Sequence, residues 1–584
     1  MKRQSGWMIL VTGIACALLV GCQTIIARTI LPRDGIREAQ YGVKIERDVV
    51  IPTIDGLRLV ADVYHPVTDK TAPTILVRIP FTKTFKNSLA ADAVGRFWAT
   101  RGYIVVIQGT RGRYKSEGTF YPLVYEREDG LATLKWLARQ PWFNGRLGMW
   151  GGSANGYTQW VLADQTNPGP NALFVQIASS EFHDLFYSGG AFSFESALFW
   201  AVRSRGAEDV DASFKDLERG FNGFPLIEAD NRAVGQVPFF DDWVTHSTKD
   251  DYWIAIDGKQ RARTIKAPIF LMAGWSDPFL PSQLRDYEEI QRYADREVAH
   301  DTRLIIGPWT HADPIRFPDG SDGGSYRKAS LAPSIPWFDH HLRGQPIDPS
   351  LIAPVRIFVL GEYKWRDEQE WPLKRAVYTP FYLHSDGVAN TASGNGKLSR
   401  LSPTNDESPD TYVYDPRAPV PSRGGAMLGP RAGMSVQNDV EERPDVLVYT
   451  TDVLERNTEV TGPVKAELFV STTARNTDFT VKLVDVHPDG RAYNVCDGIL
   501  RRDYEAREVG NPTRIVVQLW PTSYLFRTGH RIRVEVSSSN FPRYDRNPNT
   551  GTSIAYEANP ITARQRIFHQ PGAESHILLP LIAR

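Results

Sequence analysis

Ser153, Asp277 and His311 are the residues of this chain whose types and order suit acyl transfer. Ser153 sits in Gly148-Met149-Trp150-Gly151-Gly152-Ser153-Ala154-Asn155-Gly156, where an apolar run from Leu147 to Trp150 ends in a Gly-x-Ser frame. The residues that follow, Tyr157 to Ala163, read as a helix. Strand, sharp turn, serine and helix together describe a nucleophile elbow. Such an elbow strains the serine backbone and demands small neighbours; Gly151 and Gly156 supply them, because neither carries a Cβ. The helix N-terminus behind Ser153 aims backbone N–H groups, that of Ala154 first, at negative charge developing on a substrate oxygen. The fifth position of the frame is Asn155 and not glycine, so the frame by itself also fits an ordinary glycine-rich turn.

A serine attacks a carbonyl only when a base takes its proton, and the base needs a carboxylate to orient it. Behind a nucleophile elbow these partners follow in the order acid, then histidine. Pro268 to Ser276 reads as a buried strand running into Asp277, and Thr302 to Thr310 as a second one running into His311. Both candidates stand just past strand carboxyl ends, where open parallel sheets place their chemistry. Asp277 precedes Pro278 and also fits a simple turn former. The other histidines are placed less well: His340 and His341 fall in a helix-like stretch, and His183 at the entrance of an inserted region.

The elements that must position these residues alternate as strands and helices. Residues 45 to 65 predict a hairpin with an Asp55-Gly56 turn. Thr74–Val77 and Tyr103–Ile107 predict short buried strands, and Leu89–Arg101 and Tyr125–Arg139 predict helices. This alternation implies βαβ units and a mostly parallel sheet. Residues 183–262, rich in Phe, Trp and charge but without strand runs, predict a helical cap inserted over the pocket. The hydrolytic part is then 40–182 and 263–348, with its last helix ending at residue 344. From 349 to 584 short alternating runs, Val355–Leu360 first among them, predict an all-β sandwich or jelly roll. The fold class is therefore α/β, with a hydrolase sheet, an inserted helical cap and a C-terminal all-β domain.

At this point the chain resembles a known family, the cocaine esterase and X-prolyl dipeptidyl-peptidase group of α/β-hydrolases, which also holds α-amino-acid ester hydrolases and cephalosporin acylases. The marks are Arg78-Ile79-Pro80-Phe81, Thr110-Arg111-Gly112 with Ser116-Glu117-Gly118, the elbow, Gly274-Trp275-Ser276-Asp277 and Gly307-Pro308-Trp309-Thr310-His311. They continue with Trp337 to Gly344, Thr477 to Leu483 and Ser539-Asn540-Phe541-Pro542-Arg543. The resemblance spans roughly residues 40 to 584 and is nearest to the cocaine-esterase-like members. It implies a triad of Ser153, Asp277 and His311. It also implies an oxyanion hole made by the Ala154 N–H and a tyrosine hydroxyl, but the tyrosine position here is Phe81. A lost donor of this kind costs about 3–4 kcal/mol. A backbone N–H at Phe81 or Thr82, or a hydroxyl from Tyr114 or Thr82, is the substitute to look for.

Length and composition frame the rest. A chain of 584 residues is too long for one compact core. Its 42% hydrophobic and 23% charged content is that of a globular protein, and a formal net charge of −1 gives no reason to expect a nucleic-acid partner. No His-Glu-x-x-His motif, cysteine pair or phosphate loop is present, so neither metal nor cofactor is expected. Residues 1–22 read as a lipoprotein signal peptide: Lys2 and Arg3 precede an apolar run from Met8 to Val20 and a Leu19-Val20-Gly21-Cys22 box. Cys22 is the expected lipidation site, and by resemblance to lipoprotein sorting Gln23 points to the outer membrane of a bacterial cell envelope, on the periplasmic side. Of three cysteines only Cys496 falls in the folded body, so no internal disulfide is expected.

The expectation is a serine hydrolase of ester or amide bonds acting on a small molecule or short peptide, with a homo-oligomer left open. An X-prolyl dipeptidyl-peptidase or amino-acid ester hydrolase is the near alternative; its substrate ammonium would need an anionic site, for which Glu181, Asp184 and Glu195 are candidates. A surface binding lipoprotein with a degenerate hydrolase body is the alternative of another class.

Overall fold

The computed structural model describes residues 37–81, 85–206, 213–258, 260–311, 313–324 and 326–583. Thr82 and the N-terminal segment with Cys22 lie outside them. The chain divides into two compact units, the first made of the chain up to Gln176 with Ile265–Phe270 and Gly324–Ile352, the second of Ile177–Thr264, Leu271–Gly323 and Ala353 onward.

In the first unit β1 (Val43–Pro52) and β2 (Arg58–Pro66) form the expected antiparallel hairpin. Strand β3 (Ala72–Ile79) is followed by helix α1 (Phe85–Ala99), then β4 (Ile104–Gly109) and α2 (Glu126–Leu137). Next come β5 (Phe143–Gly152), α3 (Ala154–Trp160) and β6 (Ala172–Gln176). The sheet runs β1-β2-β4-β3-β5-β6. β2 meets β4 antiparallel, and β4, β3, β5 and β6 are mutually parallel. Every residue of β3, β4 and β6 is buried. That suits their apolar runs Ile75–Val77, Ile104–Ile107 and Ala172–Val175, since a parallel strand is covered on both faces. One cover is aromatic. Trp98 of α1 meets Trp150 edge-on at 5.0 Å, and Phe338 of the later helix Tyr326–Arg343 lies 6.4 Å from both Trp98 and Phe174. Gly148 is obligatory beneath that helix, because a Cβ there would stand 2.7 Å from the Phe338 ring.

In the second unit β7 (Ile269–Ser276, shared at its start with the first unit) leads to α4 (Leu280–Tyr293) and β8 (Arg303–Thr310). The sheet does not stop at the helix that ends near residue 344, as the sequence predicts. Val355–Val359 (β9) pairs in parallel with β8, and Lys364–Glu368 (β10) pairs antiparallel with β9. An apolar run such as Val355 to Leu360 carries no mark of which sheet it will join, so composition placed it with the β domain that follows.

The cap region holds short helices, among them Phe194–Ser204, Phe214–Phe221 and Pro238–Thr245. It also holds one two-residue ribbon, Tyr187–Ser188 against Ala191–Phe192, which the sequence did not show. Its centre is aromatic: Trp243 stacks on Phe186 at 4.5 Å and on Trp200 at 5.1 Å. The C-terminal all-β domain is built on long strands. Thr458–Thr472 pairs with Thr513–Phe526, and Asn476–Val486 lies between Ala492–Asp503 and Arg531–Ser537. The cap is fastened to this domain by ionic and backbone bonds. The Phe192 N–H donates to Asp545, whose carboxylate is held by Arg501 at 2.9 Å, and Arg501 also grips Asp478 at 2.7 Å. Among the described residues no helix is long and apolar enough to cross a membrane.

Candidate active site

Ser153 stands between the end of β5 and the start of α3 with φ 57° and ψ −129°. A non-glycine residue in that region stores about 1–3 kcal/mol of strain and persists only where its surroundings fix it. The surroundings here do so. The Ser153 N–H donates to the Gln176 carbonyl at 2.9 Å, and the Ser153 carbonyl accepts from Gly156 and Tyr157 at 2.8 and 3.0 Å. Gly151 is needed because a Cβ on it would stand 2.5 Å from the Cβ of Asn155. The serine side chain does not cap the helix it precedes.

A residue the sequence reading passed over holds the two strands at the elbow. Gln159 is fully buried; its Nε2 donates to the carbonyls of Gly151 and Phe174, both at 3.1 Å, and its Oε1 accepts from the Phe174 N–H at 3.1 Å. A glutamine set among Tyr157, Trp160, Val161 and Leu162 was the available signal. Such a side chain is buried only when its amide is satisfied.

Asp277 and His311 come together in the second unit. His311 Nδ1 lies 2.6 Å from Asp277 Oδ2, while Asp277 Oδ1 accepts the Phe279 N–H at 2.8 Å. Asp277 is completely buried, so its carboxyl oxygens are met by these short bonds and not by water. The Trp520 indole donates to the Asp277 carbonyl at 3.3 Å, and the Phe279 ring sits 5.7 Å from the imidazole. The Asp277–Pro278–Phe279 turn announces the Phe279 bond; nothing near Trp520 in sequence points to its role. The two strands that carry the pair are held close by Gly274, where a Cβ would fall 2.5 Å from the Trp309 carbonyl oxygen. A buried carboxylate on Nδ1 fixes the imidazole tautomer and assigns proton transfer to Nε2. What this half of the arrangement can do is accept and return a proton.

The oxyanion candidates fare unequally. Phe81 stands two residues past β3 and is 40% exposed, with no hydroxyl to give. Tyr114 does not replace it: the residue is buried, and its hydroxyl donates to Asp62 at 2.8 Å. Burial and that carboxylate push the phenol well above its ordinary value, so the proton stays where it is already used. Ala154 opens α3 directly behind the serine, where the first N–H groups of a helix have no intrahelical acceptor.

The carboxylates considered for a substrate ammonium are already engaged. Glu181 meets Lys249 at 2.7 Å, and Asp184 pairs with His183 at 3.1 Å and with Arg285. Although burial opposes its charge, His183 and Arg285 hold the Asp184 carboxyl down at about 2. Glu195 is buried beside Leu428 and Gly429; burial pushes it up to about 7 against the pull of Arg431 and the backbone N–H groups it accepts from. A cavity of about 640 Å³ adjoins the histidine loop; Thr310, Asp313 and Arg316 line one side and Arg423, Arg431 and Met434 the other.

Known proteins resemble this chain over most of its length. The profile of the X-Pro dipeptidyl-peptidase (S15 family) matches residues 55–313, and that of the X-Pro dipeptidyl-peptidase C-terminal non-catalytic domain matches 352–578. The cocaine esterase of Rhodococcus sp. (strain MB1 Bresler) is 39% identical over 583 residues, covering 92% of this chain and 99% of its own. The crystal structure of an aminopeptidase from a marine sediment archaeon of the Thaumarchaeota superposes with a TM-score of 0.76 at 25% identity, covering 95% of this chain and 99% of that one. An α-amino acid ester hydrolase shares the fold with a TM-score of 0.75 at 24% identity, covering 94% and 98%.

Proposed function

The chain belongs to the X-Pro dipeptidyl-peptidase (S15) family of serine hydrolases, and from that premise we propose that it hydrolyses small carboxylic esters through Ser153, His311 and Asp277. His311 Nε2 takes the proton from Ser153 Oγ as that oxygen bonds to the ester carbonyl carbon. The carbonyl oxygen becomes an oxyanion facing the Ala154 N–H and a second backbone N–H at Phe81 or Thr82. The tetrahedral adduct collapses, the C–O bond to the leaving group breaks, and the alcohol departs with the proton from His311. Water then gives a proton to the same nitrogen as its oxygen adds to the acyl carbon; the bond from that carbon to Ser153 Oγ breaks, Oγ takes the proton back from His311, and the carboxylic acid leaves. Asp277 stays ionised throughout and stabilises each imidazolium.

The observation that carries this reading is the 2.6 Å bond between His311 Nδ1 and the buried Asp277 carboxylate. An ester substrate is favoured over an N-terminal dipeptide because Glu181 is paired with Lys249 and Asp184 with Arg285 and His183, leaving them poorly disposed to an incoming ammonium. Turnover of aryl acetates and benzoates should exceed that of a Gly-Pro anilide by orders of magnitude and vanish in Ser153→Ala. Preferred cleavage of the anilide would make it a peptidase, and no turnover of either would favour a binding protein. We also assign Cys22 a lipid anchor that holds the enzyme at the periplasmic side of the outer membrane. Cys22→Ser should then move it from the membrane to the soluble fraction, and an unchanged distribution would remove the assignment.

A further inference from the structure

Far along the chain from the triad, two turns of the β domain bring a carboxylate and two imidazoles together. Asp485 and His487 stand two positions apart at the end of the strand Asn476–Val486, so their side chains leave the same face. The neighbouring strand Arg531–Ser537 is antiparallel with Val486 opposite Arg531, and this register sets His530 across from His487. The two rings are 4.4 Å apart, centroid to centroid. His530 Nδ1 lies 3.0 Å from both Asp485 oxygens, and the Tyr524 hydroxyl donates to Asp485 Oδ2 at 2.8 Å. His487 Nε2 is 3.3 Å from Asp485 Oδ2, yet it is buried and makes no hydrogen bond.

A buried ring nitrogen that meets only a carboxylate oxygen at 3.3 Å, outside hydrogen-bond geometry, is poorly satisfied unless a further group fills its lone pair. Here the filling group would also face a second imidazole nitrogen and a carboxylate oxygen, and one ligand atom from each of the three residues lies within 4.8 Å of the others. A tetrahedral Zn²⁺ with ligand distances near 2.0–2.2 Å separates its donors by roughly 3.4 Å, close to the 3.0 and 3.3 Å found between Asp485 and the two rings. Two imidazoles and one carboxylate suit Zn²⁺, Ni²⁺ or Cu²⁺ over the hard cations Ca²⁺ and Mg²⁺. Tyr524, bonded to the carboxylate, supplies the outer contact that such sites use to orient a ligand. We propose that Asp485, His487 and His530 form a binding site for a divalent transition-metal ion of the Zn²⁺ type, which staples the turn after Val486 to the turn before Arg531. Sequence spacing could not reveal it, because the third ligand arrives by strand register and not by a local motif.

The test is equilibrium dialysis of the full, tag-free chain against Zn²⁺ alone, with metal analysis. One Zn²⁺ per chain should bind, raise the thermal midpoint and survive a large excess of Mg²⁺. His487→Gln and His530→Gln should each weaken binding by about tenfold or more, and Tyr524→Phe should weaken it less. His340→Ala with His341→Ala, which removes a half-buried pair of imidazoles that lies with Asp301 in another such cluster, should leave it unchanged. Should a variant fail to fold, Co²⁺ added to the unaltered chain provides a second reading: visible bands of a four-coordinate nitrogen and oxygen site are expected. No stoichiometric Zn²⁺, binding that survives loss of either histidine, or a spectrum of hydrated octahedral Co²⁺ would each overturn the proposal.

Discussion

Asp277 takes its setting from residues both near and far along the chain. It is fully buried, it accepts from Phe279 and His311, and its own carbonyl is held by Trp520. Its charge orients one imidazole tautomer, so Asp277→Asn should preserve the fold and KM while lowering kcat by about 10⁴-fold, measured as steady-state ester hydrolysis. An effect smaller than tenfold would mean that another group orients His311. Phe81 raises the opposite question, because a hydroxyl expected from the family resemblance is missing. With a backbone N–H as second donor, Phe81→Tyr should change kcat by less than about tenfold, equivalent to roughly 1.4 kcal/mol. A gain near the full value of a lost oxyanion donor would show that the hydroxyl was what the enzyme lacked.

At the scale of elements, the elbow and the loops around the cavity are held by buried polar groups. Gln159 ties β5 to β6 beside the strained serine, and Glu195 at the start of the helix Phe194–Ser204 lies beneath the Leu428–Gly429 backbone that continues into Arg431 on the cavity wall. Burial raises the Glu195 carboxyl to about 7. Between the ordinary carboxylate value of about 4.3 and about 7, the folded chain therefore keeps a proton that the unfolded chain has lost. Stability must fall as pH rises through that window and level off above it. The thermal midpoint of the unaltered chain, compared with Glu195→Gln, should decline between about pH 4 and pH 7, by an amount worth a few kcal/mol. Parallel midpoint curves would show that the carboxyl is not protonated in the fold. Elements of this kind were partly legible. Strand ends, the elbow and the helix-rich cap follow from apolar runs and glycine placement. The roles of Gln159 and Trp520, and the pairing of β9 with β8, do not, because each is decided by a partner distant in sequence.

Over the whole molecule, chemistry was easier to read than architecture. The order Ser153, Asp277, His311 and the strand preceding each could be seen along the chain, since a parallel sheet collects its reactive groups at strand carboxyl ends. The division into two units could not, because segments as short as Ile265–Phe270 belong to one unit while their neighbours belong to the other. The same holds for Asp485, His487 and His530, which meet only through pairing of strands. The most direct test of hydrolysis by this chain is to trap the intermediate. The chain should be mixed with a slowly deacylating aryl ester or a fluorophosphonate, digested and mapped by mass. One adduct per chain on Ser153, formed at a rate that collapses in His311→Ala, is the predicted result; ester turnover with Ser153 unmodified, or an adduct on another residue, would contradict it.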